Sequence, residues 1–142
     1  MIDISGKESV PRMATASGKI HLKRESIKAI RGGKVKKGDA LQTAKVAALQ
    51  AVKRTHELIP HCHQINIEEC EVWFDVEDEA IVVHCRVKAN YKTGVEMETL
   101  VGVSVALLTI WDMVKYLEKD ENGQYPTTRI MDISVKEKVK SR

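Results

Sequence analysis

The sequence predicts an α+β fold on the split βαβ plan: an antiparallel four-stranded sheet with its helices packed on one face. Three observations carry this. Two long stretches have the helical apolar period, four others alternate or favour extended chain, and their order is β-α-α-β-β-α-β. One face of such a sheet stays uncovered. The many apolar alternations predict an oligomer that buries it.

Taken in order, residues 12–22 are β-tolerant and partly alternating, and read as a strand. Glu25–Ile30 reads as a short helix with Ile27 and Ile30 on one side, ended by Gly32 and Gly33. Residues 33–38 form a basic loop containing Lys34, Lys36 and Lys37. Asp39 is placed as an N-cap, with Gln42 three residues on, and a helix follows over 40–54. Leu41, Ala44, Ala48 and Val52 form its apolar stripe, whose alanines allow close packing. Pro60 ends the helical region. Strands are predicted over 65–76 and 80–89, joined by the acidic turn Glu77-Asp78-Glu79. A second long helix covers 97–117, a polar loop 121–126, and a last strand 128–139.

At 142 residues the chain is expected to be one domain, 1–142, large enough for a real core. A net charge of +3 is too small to imply nucleic acid, and 4% aromatic residues argue against a base-stacking platform. Trp73 and Phe74 are adjacent and point to opposite faces of a strand, so at most one lies on the open face. Three cysteines, Cys62, Cys70 and Cys85, have no framework spacing and fit free thiols in a reducing compartment. Asp3 and Lys7 interrupt any early apolar run, and Val101–Trp111 is too short to span a bilayer. The expectation is a cytoplasmic protein with no membrane and no nucleic-acid partner.

Four constellations can carry chemistry. The glycine-flanked lysine loop before a capped helix is a candidate anion site, with Lys37 its best phosphate ligand and a solvated surface charge the plainer reading. It is not a P-loop, because Asp39 stands where the invariant lysine would be. In LIPHCHQ, residues 58–64, a histidine presented from a rigid turn as proton or hydrogen-bond donor is favoured over a metal site, which lacks a third ligand, and over Cys62 as nucleophile. Glu96 and Glu98 are either ordinary first-turn acids or, in extended chain, neighbours on one side that bind amide-type donors. Asp112 and Lys115 lie deep in the apolar helix, three residues apart on one face. They read equally as a structural ion pair and as an acid/base pair tuned by burial.

Together these pieces are specific. KGDALQTAKVAALQAVKRTHELIPHCHQ (37–64), TGVEMETL (93–100), TIWDMVK (109–115), the opening IDIS with Lys7, and Arg12 closely resemble the molybdenum cofactor biosynthesis protein C family. The resemblance covers essentially the whole chain. It implies a ferredoxin-like fold and a homohexamer, a trimer of dimers with sites at dimer interfaces. The implied reaction is a lyase step: 3′,8-cyclo-7,8-dihydroguanosine 5′-triphosphate becomes cyclic pyranopterin monophosphate with release of pyrophosphate, downstream of a radical GTP cyclase. By the same resemblance Asp112 is the principal acid/base with Lys115 its partner. Lys37, Lys53 and Arg12, with Lys115, suit the phosphates, and His61, Cys62, His63, Glu96, Met97 and Glu98 line the substrate site. No redox cofactor is required, and Mg²⁺ accompanying the phosphates is compatible. The chain departs from the family pattern in three places. His61 and Gln64 flank Cys62-His63 where the family has leucine and proline, Val114 replaces the usual cysteine, and a basic tail, 136–142, replaces a glycine-rich one. The rival readings are a ferredoxin-like RNA-binding module and a non-catalytic nucleotide-binding subunit.

Overall fold

The computed structural model describes residues 1–141. Its elements are β1 (Val10–His21), α1 (Arg24–Arg31), α2 (Ala40–Lys53), α3 (Thr55–Leu58), β2 (Glu69–Val76), β3 (Ala80–Tyr91), α4 (Glu96–Glu118) and β4 (Arg129–Lys140). The sheet order is β2-β3-β1-β4, antiparallel throughout. The expected α+β, ferredoxin-like split βαβ arrangement is therefore the observed one, with the one-turn α3 added before Pro60.

Alternation decides which side of the sheet is core. On β1, Ala14, Ala16 and Ile20 face the helices; on β3, Ile81, Val83, Cys85, Val87 and Ala89 do. Across them lies α4, contributing buried Val103, Ala106, Leu107, Ile110 and Val114, with α2 alongside. Two glycines let the layers close up. A Cβ at Gly18 would stand 2.8 Å from Val103 and 2.9 Å from Leu107 and Ile133, and one at Gly102 would stand 2.8 Å from Val52 and 2.9 Å from the Cys85 sulfur. Side chains at either point would force the helix off the sheet.

The apolar run in α4 looks too short for a membrane, but the helix that contains it has 23 residues and is long and apolar enough to cross one. Its burial against the sheet accounts for that composition. The predicted strand start at Ile65 moves to Glu69, because Ile65 and Ile67 meet the core from a loop. Their alternation records packing, and the ladder's approach is marked by Glu68 N–H donating to Lys88 O at 2.9 Å.

The open face carries ion pairs, with Arg86 between Glu69 and Glu71, Lys88 on Glu69, and Lys19 on Glu77. Trp73 is on this face, stacked on His84 at 5.1 Å, while Phe74 packs toward the core. Half-buried Met13, Val82, Met131 and Val139 share the face with Trp73 and the charged pairs.

At the far end of α4 a buried carboxylate ties three elements together. Glu118 accepts from Lys23 N–H at 3.0 Å, from Thr128 Oγ1 at 2.6 Å and from the Ser26 hydroxyl. Both of its oxygens have donors, which is what makes a fully buried carboxyl group tolerable.

Because Gly18 has van der Waals neighbours in the core on three sides, Gly18→Ala is expected to destabilise the fold by about 1–3 kcal/mol through overpacking. The midpoint of urea denaturation checks this, and an unchanged midpoint would show that α4 can shift at no cost.

Candidate active site

The site residues fall into two groups, one at each end of α4. At its N-terminal end, Ile59 and Pro60 close α3, and a turn with Cys62 N–H donating to Ile59 O at 3.0 Å presents His61, Cys62 and His63. Facing them is the first turn of α4. Together they line a cavity of about 270 Å³ that takes in Thr93, Gly94, Glu96, Met97 and Glu98. The Glu96 carboxylate folds back over Gly94, into the space that a Cβ would take.

The two glutamates do not share one side, as extended chain would have had it. Helical backbone sends them in different directions, and their environments differ accordingly. Glu98 is 3% exposed, and burial pushes its pKa up, with the Glu96 charge adding to the rise. Burial pulls Glu96 the same way, but the Lys138 ammonium bound to it, helped by Arg12, outweighs this and holds it below its ordinary value. Cys62 has its pKa raised by burial and then by Glu98, so it is a thiol and a poor nucleophile.

Lys53 ends α2 and opens on a neighbouring cavity of about 360 Å³, which shares Ile65 with the first. Arg12 is buried on the helix side of the sheet, donating to Tyr91 O at 3.3 Å and Lys92 O at 3.2 Å.

The second group is at the other end. Asp112 is flanked by two ammonium groups, Lys37 Nζ at 3.0 Å and Lys115 Nζ at 3.0 Å. The pair does not lie buried in the helix as its sequence neighbours implied: the Asp112 side chain is 56% exposed. Hydrogen bonds from Lys37 and then Lys115 hold its pKa below the ordinary carboxylate range, and Asp112 in turn raises Lys115. The basic loop reaches this point because it is docked on α4: Lys36 N–H donates to the Tyr116 hydroxyl at 2.9 Å, and the Lys36 ammonium lies over the Tyr116 ring. Asp39 caps α2 through Gln42 N–H at 3.0 Å, so the helix start is already occupied by a carboxylate rather than open to an anion.

Fourteen residues separate Glu98 from Asp112, which at 1.5 Å per residue is about 21 Å. The structure thus brings together His61–His63 with Glu96–Glu98, and Lys37 with Asp112 and Lys115, but not the two groups. Sequence reasoning missed Lys138, the partner that sets Glu96; within an alternating basic strand it looks like any solvated charge. Among the described residues no three His, Cys, Asp or Glu side chains are grouped to hold a metal ion.

Comparison with known proteins adds to this geometry. The family model described as the MoaC family matches residues 1–141. A protein of Thermococcus kodakarensis is 56% identical over 140 residues, covering 99% of this chain and 90% of its own. One of Sulfolobus acidocaldarius is 53% identical over 141 residues, 99% of each chain. One of Methanococcoides burtonii is 56% identical over 140 residues, 99% of this chain and 88% of its own. All three carry the name probable cyclic pyranopterin monophosphate synthase. With the motifs of both groups in place and the match running from end to end of the described residues, the chain belongs to the MoaC family, the molybdenum cofactor biosynthesis protein C family.

Proposed function

We propose that this chain is a cyclic pyranopterin monophosphate synthase, a lyase of molybdenum cofactor biosynthesis. Its substrate is 3′,8-cyclo-7,8-dihydroguanosine 5′-triphosphate, supplied by a radical GTP cyclase, and its products are cyclic pyranopterin monophosphate and pyrophosphate. The observation that carries the reading is the identity of 53–56% to relatives of that name, over chains that match nearly end to end.

The chemistry of substrate and product sets the tasks. A cyclic monophosphate forms from a triphosphate when an internal hydroxyl attacks the α-phosphorus and pyrophosphate leaves. The hydroxyl needs a base, and the developing charge needs cations. Asp112, held ionised by its lysines, is suited to be the base, while Lys37 and Lys115 stabilise the charge that builds as pyrophosphate departs. Rearranging the purine-derived rings needs an acid as well. Glu98, whose pKa burial raises, is suited to that, and Glu96, held below its ordinary value by Lys138, to accept hydrogen bonds from amidine-type N–H groups. His61, His63 and Met97 complete the wall, and Lys53 and Arg12 add cations at its margins. Mg²⁺ that arrives with the substrate's phosphates is compatible with this reading.

An acid and a base must each be within hydrogen-bond reach, about 3 Å, of the atoms they serve. Groups about 21 Å apart on one helix cannot both serve one substrate. A second copy, presenting its Asp112 end to the Glu98 end of the first, solves this, and supports sites at dimer interfaces within a hexamer built as a trimer of dimers. Cytoplasmic location fits a biosynthetic enzyme with free thiols.

Anaerobic turnover of the cyclised substrate, followed by pyrophosphate and by the oxidised fluorescent pterin, tests the activity. Asp112→Asn should fold and assemble but lose about 10²–10⁴ in kcat, and Lys37→Ala about 10²–10³. An active Asp112→Asn would remove the base assignment.

Shared sites make a separate prediction. Asp112→Asn and Glu98→Gln, each inactive alone, should regain about a quarter of wild-type activity when co-assembled, since half the pairs are mixed and each mixed pair rebuilds one intact site. No recovery in mixed assemblies would place both groups in one chain's site.

The pH dependence of stability tests Glu98. Its folded pKa is raised, so the stability it lends is present below its unfolded value and is lost as pH rises through the folded one. Glu98→Gln should therefore raise Tm near neutral pH, with the gain shrinking toward pH 4. A gain independent of pH would show that the carboxyl is not the cause.

A further inference from the structure

The lysine loop between α1 and α2 is anchored at both ends. Lys34 N–H donates to Ala29 O at 2.8 Å, closing α1, and the buried Val35 side chain enters the core. Gly38 N–H donates to Val35 O at 3.1 Å, and Asp39 then caps α2. Between these anchors Lys36 and Lys37 are exposed. Where Lys37 points therefore depends on what holds residue 36.

Tyr116 holds it twice. Its hydroxyl accepts from Lys36 N–H at 2.9 Å, and the Lys36 ammonium lies 5.1 Å from its ring centroid. The ring is half-buried and packed against the core, so the hydroxyl stands at a fixed point. Tyr116 follows Asp112 by four residues and shares its face of α4. The loop is thus laid along that face in two successive contacts, the backbone of Lys36 on Tyr116 and the side chain of Lys37 on Asp112. Lys37 Nζ meets both the Asp112 carboxylate, at 3.0 Å, and the Asp112 carbonyl oxygen, at 3.1 Å.

The Lys37–Asp112 pair cannot hold this geometry by itself. Both side chains are exposed, at 42% and 56%, where an ion pair contributes little and ordering a lysine costs side-chain entropy. Lys115 needs no such help, since it lies three residues from Asp112 on the same helix. A tethered backbone one residue away removes much of the conformational search open to Lys37.

We propose that Tyr116 is a positioning residue: its hydroxyl, through Lys36 N–H, sets the Lys37 ammonium against Asp112. The inference rests on the synthase reading for the use made of that contact. Tyr116 acts through Lys37 and not on the substrate. The charged and titratable groups around Asp112 are Lys37 from the loop and Lys115 from its own helix, with Tyr125 close enough to act on Lys115. Of these cations only Lys37 depends on the loop. Loosening it lets the Asp112 pKa rise toward its ordinary value.

The test follows the Asp112 carboxyl titration by NMR in the whole protein without substrate, with turnover measured beside it. Tyr116→Phe keeps the packed ring and removes the hydroxyl. Its Asp112 pKa should rise, though no further than in Lys37→Ala, and the acid limb of kcat/KM should move to higher pH with it. Its kcat should fall about tenfold with KM little changed, because Lys37 serves charge that develops in the transition state. Added to Lys37→Ala, Tyr116→Phe should change neither the titration nor kcat further, the mark of a residue that acts through another. Losses that multiply in the double variant overturn the positioning role. So does a Tyr116→Phe protein with the titration and kcat of wild type. An Asp112 pKa that rises in Tyr116→Phe, in a protein that forms no product, supports the positioning role and overturns the synthase.

Discussion

The seat of α4 on β1 is the contact on which the rest depends. Bare backbone at Gly18 lets Val103 and Leu107 sink onto the sheet, and Gly102 lets the same helix close against α2 and β3. Close-packed interiors resist gradual deformation, so a helix wedged at two points has one position along the sheet. That position is what presents Glu96 and Glu98 to the His61–His63 turn at one end and Asp112 to the docked lysine loop at the other. The helix works as a ruler, and its length separates the two chemistries.

The ruler also separates two dielectric environments. Glu98 is enclosed by protein and disfavours charge; Asp112 stands in water between two ammonium groups and favours it. Carboxylates of similar intrinsic acidity are thus driven in opposite directions within a single helix. Neither group needs a metal or an unusual residue type to be tuned. Placement along one rod, with burial at one end and lysines at the other, is enough.

Much of this was legible in the residues, and the exceptions share a cause. Element order, the Asp39 cap and the opposite facing of Trp73 and Phe74 follow from local periodicity and turn chemistry, which the chain states directly. The exposure of Asp112 was hidden because the apolar run Val101–Trp111 reads as uniformly buried, although a helix against one sheet still has an outer side. Glu118 was missed for the converse reason: an acid at a helix end looks like surface until Lys23, Ser26 and Thr128, distant in sequence, fold around it. The Glu96–Lys138 and Arg12–Lys140 relations likewise exist only once the sheet has brought the ends of the chain together. The family resemblance named the candidate site residues, but their division between two ends of α4 is a fact of three dimensions.

The strand order has a bearing on how the molecule comes into being. β1 is a central strand, yet one of its two neighbours is β4, so Arg12 pairs with Lys140 across almost the whole chain. During synthesis β1 emerges first and must wait for its partner with one edge unpaired, the condition in which strands recruit wrong neighbours. Its Gly18 seat stays without Ile133 over the same interval. β4, made after the other strands of this sheet, thus closes it, and with Lys140 it completes the cavity lined by Lys7 and Arg12, so a chain stalled before β4 would lack both.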